Sequence, residues 1–413
     1  MAADSQGNIY VAGRSAYQST IFKFDSKLEI LLTSAFFGTK HKSEVNAIDI
    51  DGQGAVYLAG RTKDESFPVI EGAFDTVIER GPYGATAEGF VIKYNADLNE
   101  IQASTFIGAR EDDIVFGLAV AQNGDVVVVG ETTSPCYSDS PCTPDSDIQP
   151  FPSTEGAFDP DYGVGSKTKA FIARFDSGLT ELHAATFLGT NGDENGDDDN
   201  LDDRASAVAI DAAGKVVVAG ETQSKNFPVA DNCPDKAFQG KWEAFVAKFD
   251  PGLTTLEAST FIGGANDERI NVLRIGPKNE IVVAGWTLSS DFPVVQGNFD
   301  TSYNTYEDGI VSKLNSELTT IEASTFLGGN GAEQVSDMAV YEDGTVLLCG
   351  GTGSSDFPVT EGTYDPTLNG GHTGDFYEGD GFLTVLDPSL ARCDVSTFIG
   401  GNSRDHASAV IIN

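Results

Sequence analysis

Residues 206–220 read SAVAIDAAGKVVVAG, and variants of this stretch recur along the whole chain. The stretch contains a short apolar strand, a turn with glycine and a second strand that ends at Gly220. Self-similarity of this kind is typical of repeat architectures, in which each copy is one supersecondary unit. The sequence therefore predicts six units, whose second strands end at Gly13, Gly60, Gly130, Gly220, Gly285 and Gly350.

Two more strands follow a loop of variable length in each unit. The third strand alternates in character, as in FVAKFD at residues 245–250, and a period of two is typical of a β-strand. It ends at Asp or Asn, and a leucine follows three residues later, as expected where an Asx side chain caps a hairpin turn. A fourth strand reads STFIGG at residues 259–264, or a close variant, so each unit is predicted to contain four antiparallel strands.

The two ends of the sequence carry complementary parts of one unit. The chain starts at a hairpin and the strand NIYVAG, residues 8–13, and stops at SAVII, residues 408–412, the strand that precedes the hairpin in other units. Joining these parts closes a ring and leaves only short, protected sheet edges. We therefore expect residues 1–413 to form a single all-β domain, a six-bladed β-propeller with four antiparallel strands per blade, closed by the C-terminal inner strand joining the N-terminal blade.

The same units contain a pattern that resembles a known family. SAVAID, FVAKFD and STFIGG combine with a Phe-Pro step in five units, whereas the first unit has only residues 14–20 at this place. The chain thus resembles the SBBP family of bacterial and archaeal β-propeller repeats. The resemblance implies a secreted or cell-surface protein without one shared catalytic activity. The Phe-Pro steps begin at Phe67, Phe151, Phe227, Phe292 and Phe357.

The net charge and the hydropathy of the sequence argue against nucleic-acid binding and against a membrane span. The chain has 413 residues, with 25 Lys and Arg against 63 Asp and Glu, and a net charge of -38. This charge repels phosphate backbones, so we expect no nucleic-acid partner. No apolar run approaches the roughly 20 residues of a spanning helix, so we expect no transmembrane segment. Residues 1–4 lack the features of a signal peptide, so an exported protein would contain this sequence as a trimmed segment.

One acidic position recurs where the chain enters each inner strand. Two interpretations are open. The acids form a cation-binding ring at the mouth of the central channel, or each accepts backbone amides of its own turn. The identical placement in every unit favours the structural role. The channel-mouth acids are Glu44, Asp113, Asp203, Glu268, Glu333 and Asp405.

The loop of residues 191–202 follows the calcium-binding template of the EF-hand type, with Gly196 at position 6. It departs from the template at positions 1, 8 and 12, and its flanks read as strand and loop rather than paired helices. The sequence therefore predicts either a structural calcium ion or a solvated acidic insertion. The oxygen ligands would come from Asn191, Asp193, Asn195, Asp197, Asp199 and Asp202.

Other candidate residues are less specific. Cys136 and Cys142 lie six residues apart in a Pro/Ser/Asp-rich loop, and this spacing permits a disulfide. A basic residue recurs in the third strand, and we expect its stem to pack between blades with its charged head on a carboxylate. The histidines lack metal-ligand spacing, so zinc is not expected. Trp242 and Trp286 fit either loop packing or a stacking platform for a sugar.

These observations favour a non-catalytic extracellular or cell-surface module for glycan or protein binding or scaffolding, with calcium as a candidate cofactor. The alternative is a polysaccharide hydrolase or lyase that uses carboxylates at the channel mouth. We expect a monomer or part of a larger surface protein. Loops carry function more often than scaffolds do, so the loops at 61–88, 131–169, 221–243, 286–308 and 351–380 mark the candidate surface.

Overall fold

The computed structural model describes residues 1–14, 18–39, 42–79, 86–133, 151–162, 166–189, 201–304, 306–369 and 379–412. All regular secondary structure within these ranges is β-strand, and the strands follow the six predicted units. They are β1 (Ala2–Ala3), β2 (Ile9–Arg14), β3 (Ser19–Phe24) and β4 (Leu31–Phe37) in the first unit; β5 (Ser43–Ile50), β6 (Val56–Thr62), β7 (Glu88–Tyr94) and β8 (Ile101–Ile107) in the second; β9 (Asp113–Val120), β10 (Val126–Thr132), β11 (Ser166–Phe175) and β12 (Leu182–Leu188) in the third; β13 (Leu201–Ile210), β14 (Val216–Thr222), β15 (Glu243–Phe249) and β16 (Leu256–Phe261) in the fourth; β17 (Glu268–Ile275), β18 (Ile281–Thr287), β19 (Asp308–Leu314) and β20 (Ile321–Leu327) in the fifth; and β21 (Glu333–Val340), β22 (Val346–Thr352), β23 (Asp380–Leu386) and β24 (Cys393–Ile399) in the sixth.

The strands of each unit pair antiparallel in chain order. The first, second, fifth and sixth units each form a separate four-stranded sheet. The third and fourth units share one eight-stranded sheet, because Ser166 and Thr168 of β11 pair in parallel with Leu201 and Asp202 of β13. The prediction of an all-β chain with four antiparallel strands per unit is confirmed for the described residues. These residues also contain no helix with the length and apolarity needed to cross a bilayer.

Successive four-stranded units pack face to face around one centre, as the blades of a β-propeller do. Each of the five hydrophobic clusters among the described residues lies between two successive units; one joins Tyr10 and Ile21 of the first unit to Phe90 of the second. The inner strands β5, β9, β13, β17 and β21 contact one another in that order. The apolar faces that alternate along each strand are therefore buried against the neighbouring sheet.

The hairpin between the third and fourth strands has the same geometry in all six units. The leucine of each hairpin has a positive φ between 54° and 58°, a conformation that costs a non-glycine residue about 1–2 kcal/mol. In the fourth unit, Asp250 Oδ1 accepts the amides of Thr254 and Thr255 at 2.8 and 2.6 Å, and Leu253 is fully buried. The predicted Asx cap is confirmed, and burial of the leucine helps to offset the strain.

The inner edge of the first sheet is occupied by the N-terminal residues of the chain. β1 pairs with β2 through Ala2↔Tyr10 and Ala3↔Ile9. Residues 408–412, which we predicted for this edge, form no strand. The C-terminal segment instead lies against the sixth unit, where the amide of Ala407 donates to the carbonyl of Gly350 at 3.1 Å.

This difference has a physical reason in the register. β1 pairs Ala3 with Ile9 as β13 pairs Ile210 with Val216. The sequence ASAV at residues 407–410 repeats ASAV at residues 205–208, so Ile412 also falls at the position of Ile210. Residues 1–3 and 410–412 therefore fit the same part of the edge of β2, and only one of the two segments can pair there.

Candidate functional site

A cavity of about 460 Å³ lies at the centre of the propeller. Each of the inner strands contributes to its wall, and most of the lining side chains are apolar, with polar backbone groups exposed between them. The charged side chains in the wall are Asp49 and Arg274. Its other lining residues are Met1, Ala2, Ala3, Ile48, Leu118, Ala119, Val120, Val208, Ala209, Ile210, Leu273, Ile275, Met338, Ala339, Val410 and Ile411.

The charges around this cavity are bonded within the fold. Arg274 Nη2 donates to Asp337 Oδ1 at 2.7 Å, and the amide of Val410 donates to Asp337 Oδ2 at 3.0 Å. Asp49 Oδ2 accepts the amide of Val120 at 2.8 Å, and burial raises the pKa of Asp49. Burial also lowers the pKa of the N-terminal amine of Met1, against the opposing charge of Asp337. The first residue of the chain thus lies beside the sixth unit.

Four of the predicted channel-mouth acids occupy equivalent places near the start of an inner strand. Asp113, Glu268 and Glu333 are the first residues of β9, β17 and β21, and Asp203 is the third residue of β13. All four are buried. Glu333 shows their bonding: its Oε1 accepts the hydroxyls of Thr352 and Ser354 at 2.7 and 2.5 Å.

The described lining of the central cavity includes none of the six predicted acids. The four buried ones instead belong to the packing between sheets. Whether cations bind around the channel mouth stays a prediction.

Each buried acid faces the third strand of the preceding unit. Glu268 lies opposite Glu243, with Gly263 between the two carboxylates, where a Cβ would collide with both. Glu243 Oε1 is buried without a hydrogen-bond partner, and Asp308 repeats this arrangement opposite Glu333. Burial raises the pKa of Glu243, Glu268 and Asp308 to about 7. At neutral pH these carboxyl groups are therefore partly protonated.

A lysine replaces the acid of the third strand at one interface. Lys169 of β11 faces Asp203 of β13, and its Nζ donates to Asp159 Oδ2 at 2.8 Å and to the carbonyl of Asp161 at 2.7 Å. Burial lowers the pKa of Lys169, whereas the charges of Asp159 and Asp203 act to raise it. The lysine places a positive charge beside Asp203, whereas burial favours the protonated form of the acids where Glu243 faces Glu268 and Asp308 faces Glu333.

Sequence analysis missed the second acid of each pair. The signal is present in the sequence, since an acid stands two residues before the first aromatic or β-branched residue of the third strand in four units. These acids are Glu88, Glu243, Asp308 and Asp380.

Glu44 differs from the buried acids, because it is the second residue of its strand and is half-exposed. It belongs to a set of ion pairs on the face of the propeller that carries the variable loops. The pairs join neighbouring units as well as strands of one unit. They are Arg14–Glu44 at 2.6 Å, Arg61–Glu44 at 2.7 Å, Arg204–Glu131 at 2.7 Å, Arg204–Glu221 at 3.1 Å and Arg269–Glu221 at 3.4 Å.

A second cavity, of about 480 Å³, opens on the same loop face at the fifth and sixth units. Asp405, the last predicted channel-mouth acid, is exposed at its border. The amide of Asp405 donates to the carbonyl of Gly379 at 2.9 Å, and its Oδ2 accepts the amide of Gly401 at 2.7 Å. The cavity is lined by Glu307, Ala332, Gln334, Gly351, Thr352, Gly353, Gly379, Arg404, Asp405 and His406.

Polar side chains of this cavity differ from those of the repeat. Gln334 Nε2 donates to Glu307 Oε1 at 2.5 Å, and burial raises the pKa of Glu307 to about 7. His406 Nε2 lies 2.7 Å from Ser336 Oγ, and burial lowers the pKa of His406. Arg204 holds the position of His406 in the fourth unit. Among the described residues, this combination of side chains therefore occurs only between the fifth and sixth units.

Most residues of the predicted calcium loop and of the predicted disulfide, Asn191 to Asp199 and Cys136 with Cys142, lie outside the described residues. Asp202 is described: its Oδ1 accepts the hydroxyl of Thr168 at 2.9 Å, and its Oδ2 lies 3.3 Å from Lys167 Nζ. In the part of the chain that the structure describes, no group of three His, Cys, Asp or Glu side chains has a metal-binding arrangement. Calcium binding and the disulfide stay predictions.

The basic residue of the third strand connects neighbouring units. Lys248 Nζ lies 2.9 Å from Asp211 Oδ2 of its own unit and donates to the carbonyl of Ser316, in the next unit, at 3.1 Å. The expected position between units and on a carboxylate is confirmed at this residue. Val385 carries no such group in the sixth unit. Bonds to a carbonyl of the following unit are also made by Lys23, Lys93, Arg174 and Lys313.

No family model and no curated protein matches this chain. Among solved structures, a protein of unknown function from Dyadobacter fermentans is 12% identical, with 96% of this chain and 89% of that chain covered and a TM-score of 0.43. BamB from Moraxella catarrhalis is 10% identical, with coverages of 96% and 94% and a TM-score of 0.33. A quinohemoprotein alcohol dehydrogenase from Pseudomonas putida is 10% identical, with coverages of 98% and 62% and a TM-score of 0.42. Likenesses of this strength carry no argument about function.

Proposed function

We propose that this protein is a non-catalytic extracellular or cell-surface β-propeller module that binds a glycan or a protein segment at the cavity of Glu307, Gln334 and His406. One contrast on the loop face carries the proposal. The charged residues that recur in the units are bonded to one another or to hydroxyls of the fold. The cavity side chains differ from the repeat, as expected where a scaffold presents a ligand site.

A glycan suits the chemistry of this cavity. A carboxyl, an amide, a guanidinium and an imidazole group together offer donors and acceptors to sugar hydroxyls. The volume of about 480 Å³ falls within the range of small-ligand sites. Trp286 is half-buried beside Arg269 on the same face and offers an aromatic surface for a sugar ring.

A screen of glycans and polysaccharides by calorimetry tests the proposal. We expect Gln334→Ala and His406→Ala to weaken binding by at least about tenfold, as for loss of a central binding residue. Lys27→Ala, on an exposed turn of the first unit, serves as the control and should bind as the unmodified protein does. Binding that persists in both cavity variants would move the site elsewhere.

We also propose that the six units are six blades and that the ring closes between the sixth and the first. Two observations support closure. Met1 and Asp337 of the sixth unit line the same cavity. The bond from the Asp405 amide to Gly379 repeats the bond from the Glu333 amide to Glu307, which ties an inner strand to the preceding unit. Residues 405–409 followed by residues 1–3 would supply one composite inner strand.

Exposed apolar side chains at the junction of the first and sixth units give further support. Leu28 is 57% exposed, whereas the equivalent leucines are at most 3% exposed, and Val395 and Ile399 of the sixth unit are 50% and 38% exposed. Closing the junction would bury these surfaces, and burial of apolar area is favourable.

The extracellular location and a structural calcium ion complete the proposal. The resemblance to SBBP repeats supports the location, and the oxygen-rich residues 191–202 support calcium. Lys167 competes with an ion for the carboxylate of Asp202. Thermal unfolding with calcium and then with a chelator tests the ion, because a ligand of the folded state raises the melting temperature. An unchanged midpoint would remove calcium from the proposal.

A polysaccharide hydrolase or lyase is the second candidate, and Glu307 favours it. A carboxylic acid with a pKa of about 7 suits a general acid, and Asp405 supplies a second carboxylate to the same cavity. Polysaccharides incubated with the protein would release reducing sugars or unsaturated products. Release that Glu307→Gln abolishes would replace the binding module with an enzyme, whereas binding without release supports the module.

A further inference from the structure

In five units, the connection between the second and third strands covers the outer edge of the unit's own sheet. In the fifth unit, the amide of Val295 donates to the carbonyl of Ser324 at 3.0 Å, and the amide of Phe326 donates to the carbonyl of Asp300 at 3.0 Å. The amide of Asp300 donates to Thr325 Oγ1 at 2.8 Å. Equivalent bonds involve Asp75, Asp159, Asp235 and Asp365. The otherwise open edge of the fourth strand is thereby paired.

The phenylalanine of each Phe-Pro step anchors this segment between two units. The ring of Phe67 lies 5.8 Å from that of Phe106 in its own fourth strand and 6.0 Å from that of Phe37 in the preceding unit. The Phe-Pro phenylalanine therefore acts as a wedge at the outer rim of each of these interfaces. All five are at most 4% exposed: Phe67, Phe151, Phe227, Phe292 and Phe357.

The first unit lacks the segment, because β2 ends at Arg14 and β3 begins at Ser19. By register, Phe36 holds the position of Phe106. Phe36 is 55% exposed, whereas its equivalents Phe106, Phe187, Phe261, Phe326 and Phe398 are at most 3% exposed. The first unit therefore supplies no Phe-Pro phenylalanine at its junction with the sixth unit.

Both sides of this junction present apolar and backbone groups. In the sixth unit, Ile399 occupies the position equivalent to Phe37, whose ring packs beside Phe67 of the following unit. Ile399 is also partly exposed. Among the described residues, no partner pairs outward with the amide of Phe36 or the carbonyl of Ser34. Ala35 replaces the threonine found in the other units, so an aspartate of an incoming segment would be held by the backbone alone.

We propose that Phe36, the outer edge of β4 and Ile399 form a docking slot for an extended segment of another polypeptide. The segment carries Phe-Pro, with an aspartate eight residues after the phenylalanine, as in all five segments of this chain. Main-chain bonds to β4 supply affinity, and the wedge position supplies specificity. The slot rests on the proposed closure, since Ile399 forms its second wall, and it is a second binding site, separate from the proposed cavity of Glu307, Gln334 and His406.

A fluorescent peptide of residues 288–301, LSSDFPVVQGNFDT, is the probe for the complete chain. We expect saturable binding, and the same peptide with Phe292→Ala should bind at least about tenfold more weakly, because its anchor is lost. Phe36→Ser in the protein should weaken binding similarly. Phe36 is exposed, so circular dichroism and the melting temperature should stay unchanged in this variant.

A grafted chain supplies an independent readout. Replacing residues 15–18 by residues 287–308, which the strand register places between the same two positions of the fifth unit, puts a Phe-Pro segment in the first unit itself. We expect the graft to raise the melting temperature and to abolish peptide binding, because the slot is then filled by the same chain.

Three results would overturn the slot. They are equal binding of the two peptides, absence of saturable binding, or a dimer in light scattering that Phe36→Ser dissociates, which would assign the edge to a second copy of this chain. A disulfide between cysteines placed at positions 12 and 409 separates the two proposals. If it forms and the peptide does not bind, only the slot fails; if it does not form, closure fails.

Discussion

At the scale of single residues, the buried carboxyl groups are the most unusual feature of this protein. Carboxylates are rarely buried without a partner, yet Glu243 and Glu268 lie together in the packing between two units. Hydroxyls and backbone amides hold some of their oxygens. A proton on one of the two acids removes the remaining repulsion, as Lys169 does opposite Asp203.

These pairs predict that stability depends on pH. Burial raises the pKa of Glu243 and Glu268 to about 7 in the folded chain, against about 4.3 in an unfolded chain. Between these values the folded chain binds more protons than the unfolded one, so the free energy of unfolding falls as pH rises from about 5 to about 8. Urea unfolding at both pH values should show a loss of about 3–5 kcal/mol from this pair.

Glu243→Gln tests the assignment of this effect. The variant removes one titrating group, so we expect a flatter pH dependence and a relative gain in stability at pH 8. Glu342→Gln, at an exposed turn, should follow the unmodified protein. An equal pH slope in all three proteins would contradict the role of Glu243.

The basic residue of the third strand gives a second prediction at this scale. Lys248→Met removes the ion pair with Asp211 and the bond to Ser316 while keeping the apolar stem. Asp211 would remain buried without its counter-charge, so we expect a loss of about 1–3 kcal/mol of unfolding free energy. Chemical unfolding at pH 7 measures it, and Lys225→Met, an exposed lysine of the same unit, is the matched control.

At the scale of elements, the Phe-Pro segment decides how well a unit protects its outer strand. Phe106 and Phe36 occupy equivalent positions, but only Phe106 lies under a Phe-Pro ring. Phe106→Ala should therefore destabilise the protein by about 3–5 kcal/mol through the cavity it creates. Phe36→Ala, at the exposed equivalent, should cost less than about 1 kcal/mol. Equal losses in thermal or urea unfolding would mean that Phe36 is covered in solution.

The hairpins between the third and fourth strands show which structural features can be predicted from the local sequence. The Asx residue and the leucine three positions later predicted the turn correctly, because Asp250 and the amides it accepts are neighbours in sequence. The positive φ of Leu253 also belongs to this local turn, because Leu28 has the same conformation although it is 57% exposed. Only the burial of Leu253 depends on the neighbouring unit, and such contacts are not encoded in a single repeat.

At the scale of the whole molecule, the proposed closure depends on the junction between the sixth and first units. By register, Ala409 and Ala12 correspond to Ala47 and Ala59, which pair between β5 and β6. We expect cysteines at positions 12 and 409 to form a disulfide, detected by mass spectrometry of a digest, if the C-terminal segment completes the first blade. Cysteines at positions 47 and 59 are the positive control for this geometry. A disulfide in the control alone would show an open ring.

The repeated unit, its four strands and its turns could be predicted from the sequence alone, because strand alternation, glycine turns and Asx caps depend on residues close together in the chain. The sequence also identified the recurrent acids, although not what they face. The tertiary structure was needed to show that Glu268 meets Glu243, that Phe36 is exposed while Phe106 is covered, and that residues 1–3 rather than 410–412 pair with β2. These outcomes depend on which units are neighbours and on which of two equivalent segments pairs with an edge, and both are properties of packing between residues distant in the sequence.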